Sequence, residues 1–443
     1  MLLCLPFTHV QTFAGKWIAL PELIIRIKIK KIINYHHKTA LEADKMLQKK
    51  LIEKFLRRVE GSNFKVTFWD GDSALISNGE DQEVEFEIIF RQKLDLNELK
   101  DSPQLKLGEA YMRGDIDLKG RLRDALQTGA RNIDNLNEGA SDYSYEEFMD
   151  RQQALSREKQ EEGVRDHYDL GNDFFELWHD ETMTYCCAYF KSSDDSLKEA
   201  QLQKIDHILK KLNLAPGERL LDIGCGWGEL AMRAAEKYDV EVLGITLSPE
   251  QVAGAEEEIA RRALEKQVEV RKQDYRELVH EDQEFDKIVS VGMFEHVGKA
   301  HIPDYFQAVN DMLKEGGLSL LHTITHQRED PTHPWLEKYI FPWGYIPSYR
   351  EVVWQLPEHS FWLLDVENIR RHYSLTAERW ADNFDENRDR VVEKFDEEFA
   401  RMWELFLAGV VATFRYLGTS VHQFLFSKGI NNDLPLTRDY IYE

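Results

Sequence analysis

Residues 287–298, KIVSVGMFEHVG, run from apolar and β-branched side chains straight into Glu295 and His296. A carboxyl and an imidazole at the end of a buried strand can move a proton, or orient a group that moves one. The plainer alternative is a polar pair meeting solvent. A second imidazole, His322, ends the apolar run LSLLH, where a parallel sheet presents its ligand site. A buried histidine with a purely structural role is the default reading there. Upstream, LLDIGCGWGEL sets Gly224, Gly226 and Gly228 directly after a strand. Glycines so placed permit a tight turn and let a ligand approach the backbone at a helix start. Asp222, at the strand end, could orient that loop or bind a ligand amine. The spacing is G-x-G-x-G, and the next strand ends GITLSPEQ without an acid. Both features disfavour a dinucleotide, the runner-up ligand. Cys225 reads as a small packing residue.

These groups need a scaffold, and the sequence beyond residue 164 supplies one. Strands at Arg219–Ile223, VEVLGIT, VEVRK, KIVSVG, LSLLHTI, FWLLDVE and VHQFLFS alternate with amphipathic helices such as PEQVAGAEEEIARRAL. That alternation predicts an α/β fold with a doubly wound, mostly parallel sheet. Before it, residues 46–131 read as a small α+β domain. It opens on the helix MLQKKLIEKFLRR, with Leu47, Leu51, Phe55 and Val59 on one face and lysines and arginines around the others. FKVTFWDGDSALI reads as two strands about an Asp-Gly turn, VEFEIIF as a third, and LGEAYMRGDIDLKG with LRDALQ as a helix–turn–helix-like stretch. Residues 132–163 are polar and read as a linker with some helix. Residues 1–45, including IIRIKIKKII, are an atypical basic stretch expected to lie outside the fold.

The 443 residues carry a net charge of −24. That argues against nucleic acid as a partner, because phosphate binding needs clustered positive charge. It leaves room for a membrane contacted through a local basic patch. The four cysteines, Cys4, Cys186, Cys187 and Cys225, have no spacing suited to a metal. They fit a reduced cytosolic protein. No apolar run approaches the ~18 residues of a membrane span.

HYDLGNDFFELW from His167, TYCCAYF from Thr184, LDIGCGWG, GITLSPEQ, QDYRE, VSVGMFEHVG, LLHTI and KYIFPWGYIPS follow one another in this order along the chain. Together they resemble the cyclopropane-fatty-acyl-phospholipid synthases and the related mycolic-acid cyclopropane synthases, within the Rossmann-like class I S-adenosylmethionine-dependent methyltransferases. FKVTFWDG and LGEAYMRGDID resemble the extra N-terminal domain of the phospholipid-acting branch. The resemblance implies methylene transfer from S-adenosylmethionine to a cis double bond of an unsaturated phospholipid acyl chain in a bilayer. A methyl-branched or methylene fatty acid is the alternative product.

The same resemblance implies a bound bicarbonate as base, cradled by Cys187, Glu295, His322 and Tyr373 with a backbone contact at Ile324. Aromatic faces can stabilise the substrate cation that this reaction forms, and Tyr168 and Tyr373 are preferred for that over Tyr189, Phe190 and Phe294. Cofactor contacts carried over are Tyr185, Cys186, Asp222, Gly224, Gly226, Thr246, Gln251, Asp274 and Tyr275. Cys186 departs from the family, where serine is common. His296 is balanced between a supporting and a direct role. KYIFPWGYIPS, aromatic and proline-bounded, suits a lid or channel wall over an acyl chain. The implied location is cytoplasmic, peripherally bound to the inner face of the cell membrane, and a homodimer is left open.

Overall fold

The computed structural model describes residues 9–11, 17–19, 46–77, 83–95, 102–137, 145–160, 163 and 170–442. The expected site residue Tyr168 and most of the 1–45 stretch lie outside these. Within that stretch, His9–Gln11 and Trp17–Ala19 pair antiparallel.

The catalytic sheet has seven strands. Across it they run Phe361–Asn368, Ser420–Lys428, Leu313–Thr325, Phe285–Val291, Arg219–Ile223, Glu241–Thr246 and Val268–Lys272. Ser420–Lys428 is antiparallel to both its neighbours, and the other pairings are parallel. Strand alternation divides the apolar residues between two cores. Leu221, Ile223, Ile245, Ile288, Leu321 and Phe424 face one way, with the helix Ile302–Met312. Leu220, Val242, Val289, Leu320 and Leu425 face the other, with the helix Leu197–Leu212. Arg219–Ile223 lies between Glu241–Thr246 and Phe285–Val291, so its carboxyl end opens at the switch point where such sheets bind ligands.

The smaller unit is a four-stranded sheet in the order Ser73–Ile76, Phe64–Thr67, Phe86–Phe90, Ile116–Lys119. Phe64 and Phe86 pair across parallel strands, with ring centroids 4.9 Å apart. Ile116–Lys119 corrects the helix–turn–helix expectation. GDIDLKG is short and polar, yet it pairs antiparallel with Phe86–Phe90, between the helices Pro103–Met112 and Leu122–Arg131.

The helix over 46–56 also differs from a simple core helix. Gln48 and Val59 are buried, and Ile52 and Leu56 pack on the domain's apolar core. Leu47, Leu51 and Phe55 face outward, at 57%, 46% and 40% exposure. Among the described residues no helix is long and apolar enough to cross a membrane.

The C-terminal helix pair binds the two units together. The helices Arg370–Lys394 and Glu397–Tyr416 carry Arg401, whose guanidinium donates to the carbonyls of Tyr111 (2.6 Å) and Ile116 (2.7 Å). Residues 145–160, read from sequence as linker, are packed wall. Phe148 is fully buried against Tyr345, Gln152 donates to the Trp343 carbonyl, and Gln160 donates to the Val297 carbonyl.

Candidate active site

The strand Phe285–Val291 stops before the chemistry. Gly292 (φ 68°) turns the chain, and Phe294–His296 forms a short 3-10 turn. Glu295 and His296 are therefore turn residues, not strand residues on opposite faces. Phe294 anchors the turn in the core against Tyr305, centroids 4.9 Å apart. Glu295 is thereby directed at the strand Leu313–Thr325. Its Oε1 accepts from the Ile324 amide at 2.5 Å and from Thr323 Oγ1 at 3.0 Å. Its Oε2 is enclosed and has no hydrogen-bond partner among the described residues. Burial raises the Glu295 carboxyl above its ordinary range, against the pull of those donors, and so favours the neutral acid.

His322 lies inside the Leu313–Thr325 strand, not at its end, because pairing with Ser420–Lys428 carries that strand on to Thr325. It is 2% exposed, and Gln423 Nε2 donates to its Nδ1 at 3.2 Å. That contact selects the neutral tautomer with its proton on Nε2. Burial, reinforced by Lys204 and Lys211, holds the ring well below the ordinary histidine range. Residues 322 and 324 share a strand face. There Ile324 packs with Cys187, Ile369, Val421 and Tyr373. Burial pushes the Cys187 thiol well up, so it serves as a neutral donor and not as a nucleophile.

Glu295 thus reaches the Ile324 backbone, while Cys187 and Tyr373 pack with the Ile324 side chain on the strand face that His322 shares. The Ile324 amide, expected to face a bound anion, donates to Glu295 instead. Among the aromatic candidates, Phe294 and Phe190 are core packing. Tyr189 is stacked between His207 and His372, at 4.4 and 4.5 Å. Tyr373 stands in the cluster, its ring 4.4 Å from Phe414.

The predicted cofactor residues all line one cleft at the switch point. Gly224 (φ 82°) passes so close to Met293 that a Cβ would sit 2.6 Å from it. At Gly226 (φ 58°) a Cβ would meet no protein atom within 4 Å. That open space above the loop backbone suits a ligand in close contact. Thr246 Oγ1 donates to Gln251 Oε1 at 2.6 Å, and the buried Asp222 carboxyl is pushed up to about 7 by burial, against the pull of Lys204. Asp274, expected to meet an adenine amine, already accepts from the Arg276 amide and guanidinium.

Sequence reasoning missed Gln160, Lys204 and Trp227, which line the cleft with His296. The signal for Lys204 was present. In LKEAQLQKIDHILKKL it stands in register with Leu197, Ala200 and Ile208, where a helix buries its face. His296 lies in the cleft wall, and burial lowers it to about 4.

The segment after His326 roofs this region. The helix Pro334–Tyr339 rests on Pro103–Met112 of the smaller unit. Trp335 Nε1 donates to Met112 Sδ, and Glu109 accepts from Lys338 (2.6 Å) and Tyr339 Oη (3.0 Å). Farther along, the Tyr345 amide donates to the Glu295 carbonyl, and Phe341 packs near His296.

The mycolic acid cyclopropane synthetase family profile matches residues 155–424, and a domain of unknown function matches residues 51–141. A probable fatty acid methyltransferase from Pseudomonas putida is 34% identical over 387 residues, 85% of this chain and 96% of that one. The cyclopropane-fatty-acyl-phospholipid synthase of Escherichia coli K12 is 42% identical over 275 residues, 62% of this chain and 70% of its own. A crystal structure of the mycolic acid cyclopropane synthase CmaA1, complexed with SAH and CTAB, superposes with a TM-score of 0.57 at 35% identity. That match covers 60% of this chain and 98% of the other.

Proposed function

This chain belongs to the mycolic acid cyclopropane synthetase family of S-adenosylmethionine-dependent methyltransferases, and we propose that it converts a cis double bond of an unsaturated phospholipid acyl chain into a cyclopropane. One observation supports the finer reading: beside the cofactor cleft, Glu295 holds a buried carboxyl oxygen with no hydrogen-bond partner among the described residues, against the strand that carries His322 and Ile324. Glu295 favours the neutral acid, His322 is a neutral ring with a depressed basicity, and Cys187 stays a thiol. The unpartnered Glu295 Oε2 suits contact with a small anion, and bicarbonate fits that description.

When bound, S-adenosylmethionine supplies an electrophilic methyl and bicarbonate supplies a base. The residues do the rest. The glycine loop, Tyr185 and the Thr246–Gln251 pair hold the cofactor, and Tyr275 offers a wall for its adenine. Because an alkene is a weak nucleophile, alignment and exclusion of water must contribute much of the rate. The roof from Trp335 to Tyr345 excludes water. The Tyr373 ring face stabilises positive charge developing on the acyl chain. The Glu295, His322, Cys187 and Tyr373 hydrogens orient the base toward the methyl that must lose a proton for the ring to close.

The lipid is reached from a bilayer. The outward row Leu47, Leu51 and Phe55, flanked by Lys50, Lys54 and Arg57, suits insertion at an anionic surface. Peripheral association with the inner face of the cell membrane follows from this reading. A second product, a methyl-branched or methylene fatty acid, is favoured by the name of the Pseudomonas relative.

Mass spectrometry of unsaturated phospholipid vesicles incubated with the protein and methyl-deuterated S-adenosylmethionine tests both. A gain of one methylene retaining two deuteriums, with cyclopropane fragments, supports the main reading. A methyl branch moves the assignment to the second, and unlabelled lipid overturns both.

A further inference from the structure

The helix Leu197–Leu212 buries two lysines, and they are treated differently. Lys211, with no exposure, is neutralised by Glu367 at 2.6 Å and Asp365 at 3.4 Å. Lys204, at 1% exposure, has Cys186 Sγ at 2.8 Å as its hydrogen-bond partner. Among the described residues no carboxylate lies within ion-pair distance of its Nζ. An ammonium buried without a counter-ion is expensive, so a site that keeps one is built for an anion.

Two anions come near. The carboxylate of a bound cofactor would enter the cleft that Lys204 lines. The base would sit on the sheet face that the helix covers, where His322 and Ile324 point and Cys187 follows directly after Cys186. Asp222 feels Lys204 at longer range, as do Cys187 and His322. The second location explains more. Cys186, the partner of Lys204, directly precedes Cys187 on that face, so a bicarbonate held there would bring the negative charge that Lys204 otherwise lacks. We propose that Lys204 is a positioning residue whose buried positive charge, braced by Cys186, retains the bicarbonate anion against the Glu295–His322 donor set. This rests on the bicarbonate reading above.

The test is calorimetric and needs no turnover. Bicarbonate is titrated into the SAH-saturated protein, and SAH into the free protein, for wild type, Lys204→Met and Lys204→Gln. Removing one partner of a buried charged contact should weaken bicarbonate about 30-fold in both variants, with SAH affinity within about threefold. Bicarbonate affinity unchanged from wild type overturns the assignment. An equal or larger loss of SAH also overturns it, making Lys204 the partner of the cofactor carboxylate. Wild type that binds no bicarbonate would sink the bicarbonate reading itself, a result distinct from either. Should both variants fail to fold, competition on wild type decides. Nitrate, planar and anionic, should displace bicarbonate, while urea, planar and neutral, should not. Displacement by both equally removes the need for a buried charge.

Discussion

Glu295→Gln is a narrow perturbation at this site. The amide keeps an acceptor for the Ile324 amide (2.5 Å) and Thr323 Oγ1 (3.0 Å), so the turn should stay in place. What changes is the enclosed atom, where an acid O–H becomes an amide N–H. Hydrogen bonds to charged groups contribute about 1.5–3 kcal/mol, and those from acid hydroxyls are among the strongest. Losing most of that toward the base lowers turnover about 10- to 150-fold. SAH affinity should not move, because Glu295 does not line the cofactor cleft. Stability should respond to pH with a definite sign. Burial raises the folded Glu295 pKa above its ordinary 4.5. Its contribution is therefore full below 4.5 and is lost as pH rises through the folded value. Glutamine does not titrate, so the variant should gain on wild type as pH climbs from 4.5. The assays are labelled-lipid turnover, SAH calorimetry and thermal melts across that range. Turnover within threefold of wild type, in a folded variant that binds SAH, would refute the need for an acid hydroxyl at this position, because the amide still donates.

Gly226→Val should abolish SAH binding by calorimetry. The side chain would project into the cleft, and a β-branched residue at φ 58° adds about 1–2 kcal/mol of backbone strain. His422, held by burial at about 4 and bonded to Thr325 and Asn368, stabilises the fold fully above its ordinary 6.5, and that contribution is lost as pH falls toward 4. Melting temperatures should drop over that window, and His422→Gln should flatten the drop; an unchanged slope counts against it. Leu51→Glu with Phe55→Glu should leave the melt nearly unaltered, since both are exposed, and weaken binding to anionic vesicles roughly tenfold or more per residue. Unaltered vesicle partition would assign that face elsewhere.

The catalytic sheet was legible because its strands are apolar, β-branched runs separated by helices of clear period. The residues expected to hold a cofactor share one cleft because motif and strand end coincide. Other features depend on tertiary partners that local pattern does not carry. Ile116–Lys119 is a strand only because Phe86–Phe90 offers an edge. The row Leu47, Leu51 and Phe55 has the period of a buried face, yet Ile52 and Leu56 take the core. Residues 145–160 are polar in composition, and their role rests on single contacts from Phe148, Gln152 and Gln160. Gln423 gains meaning only when His322 is found beside it.

The roof has a practical consequence for dissecting the chain. A cut between residues 131 and 164 looks like a natural place to isolate the catalytic part, and it would keep the sheet, the glycine loop and the Glu295–Ile324 contact. It would also strip the Pro103–Met112 helix from Pro334–Tyr339, leaving the Trp335 indole, the Tyr339 ring and the Lys338 ammonium facing water without Met112 and Glu109. Such a fragment presents an adhesive aromatic ledge. Poor solubility or self-association of the fragment would then report the missing cover, and would say nothing against the integrity of the catalytic fold.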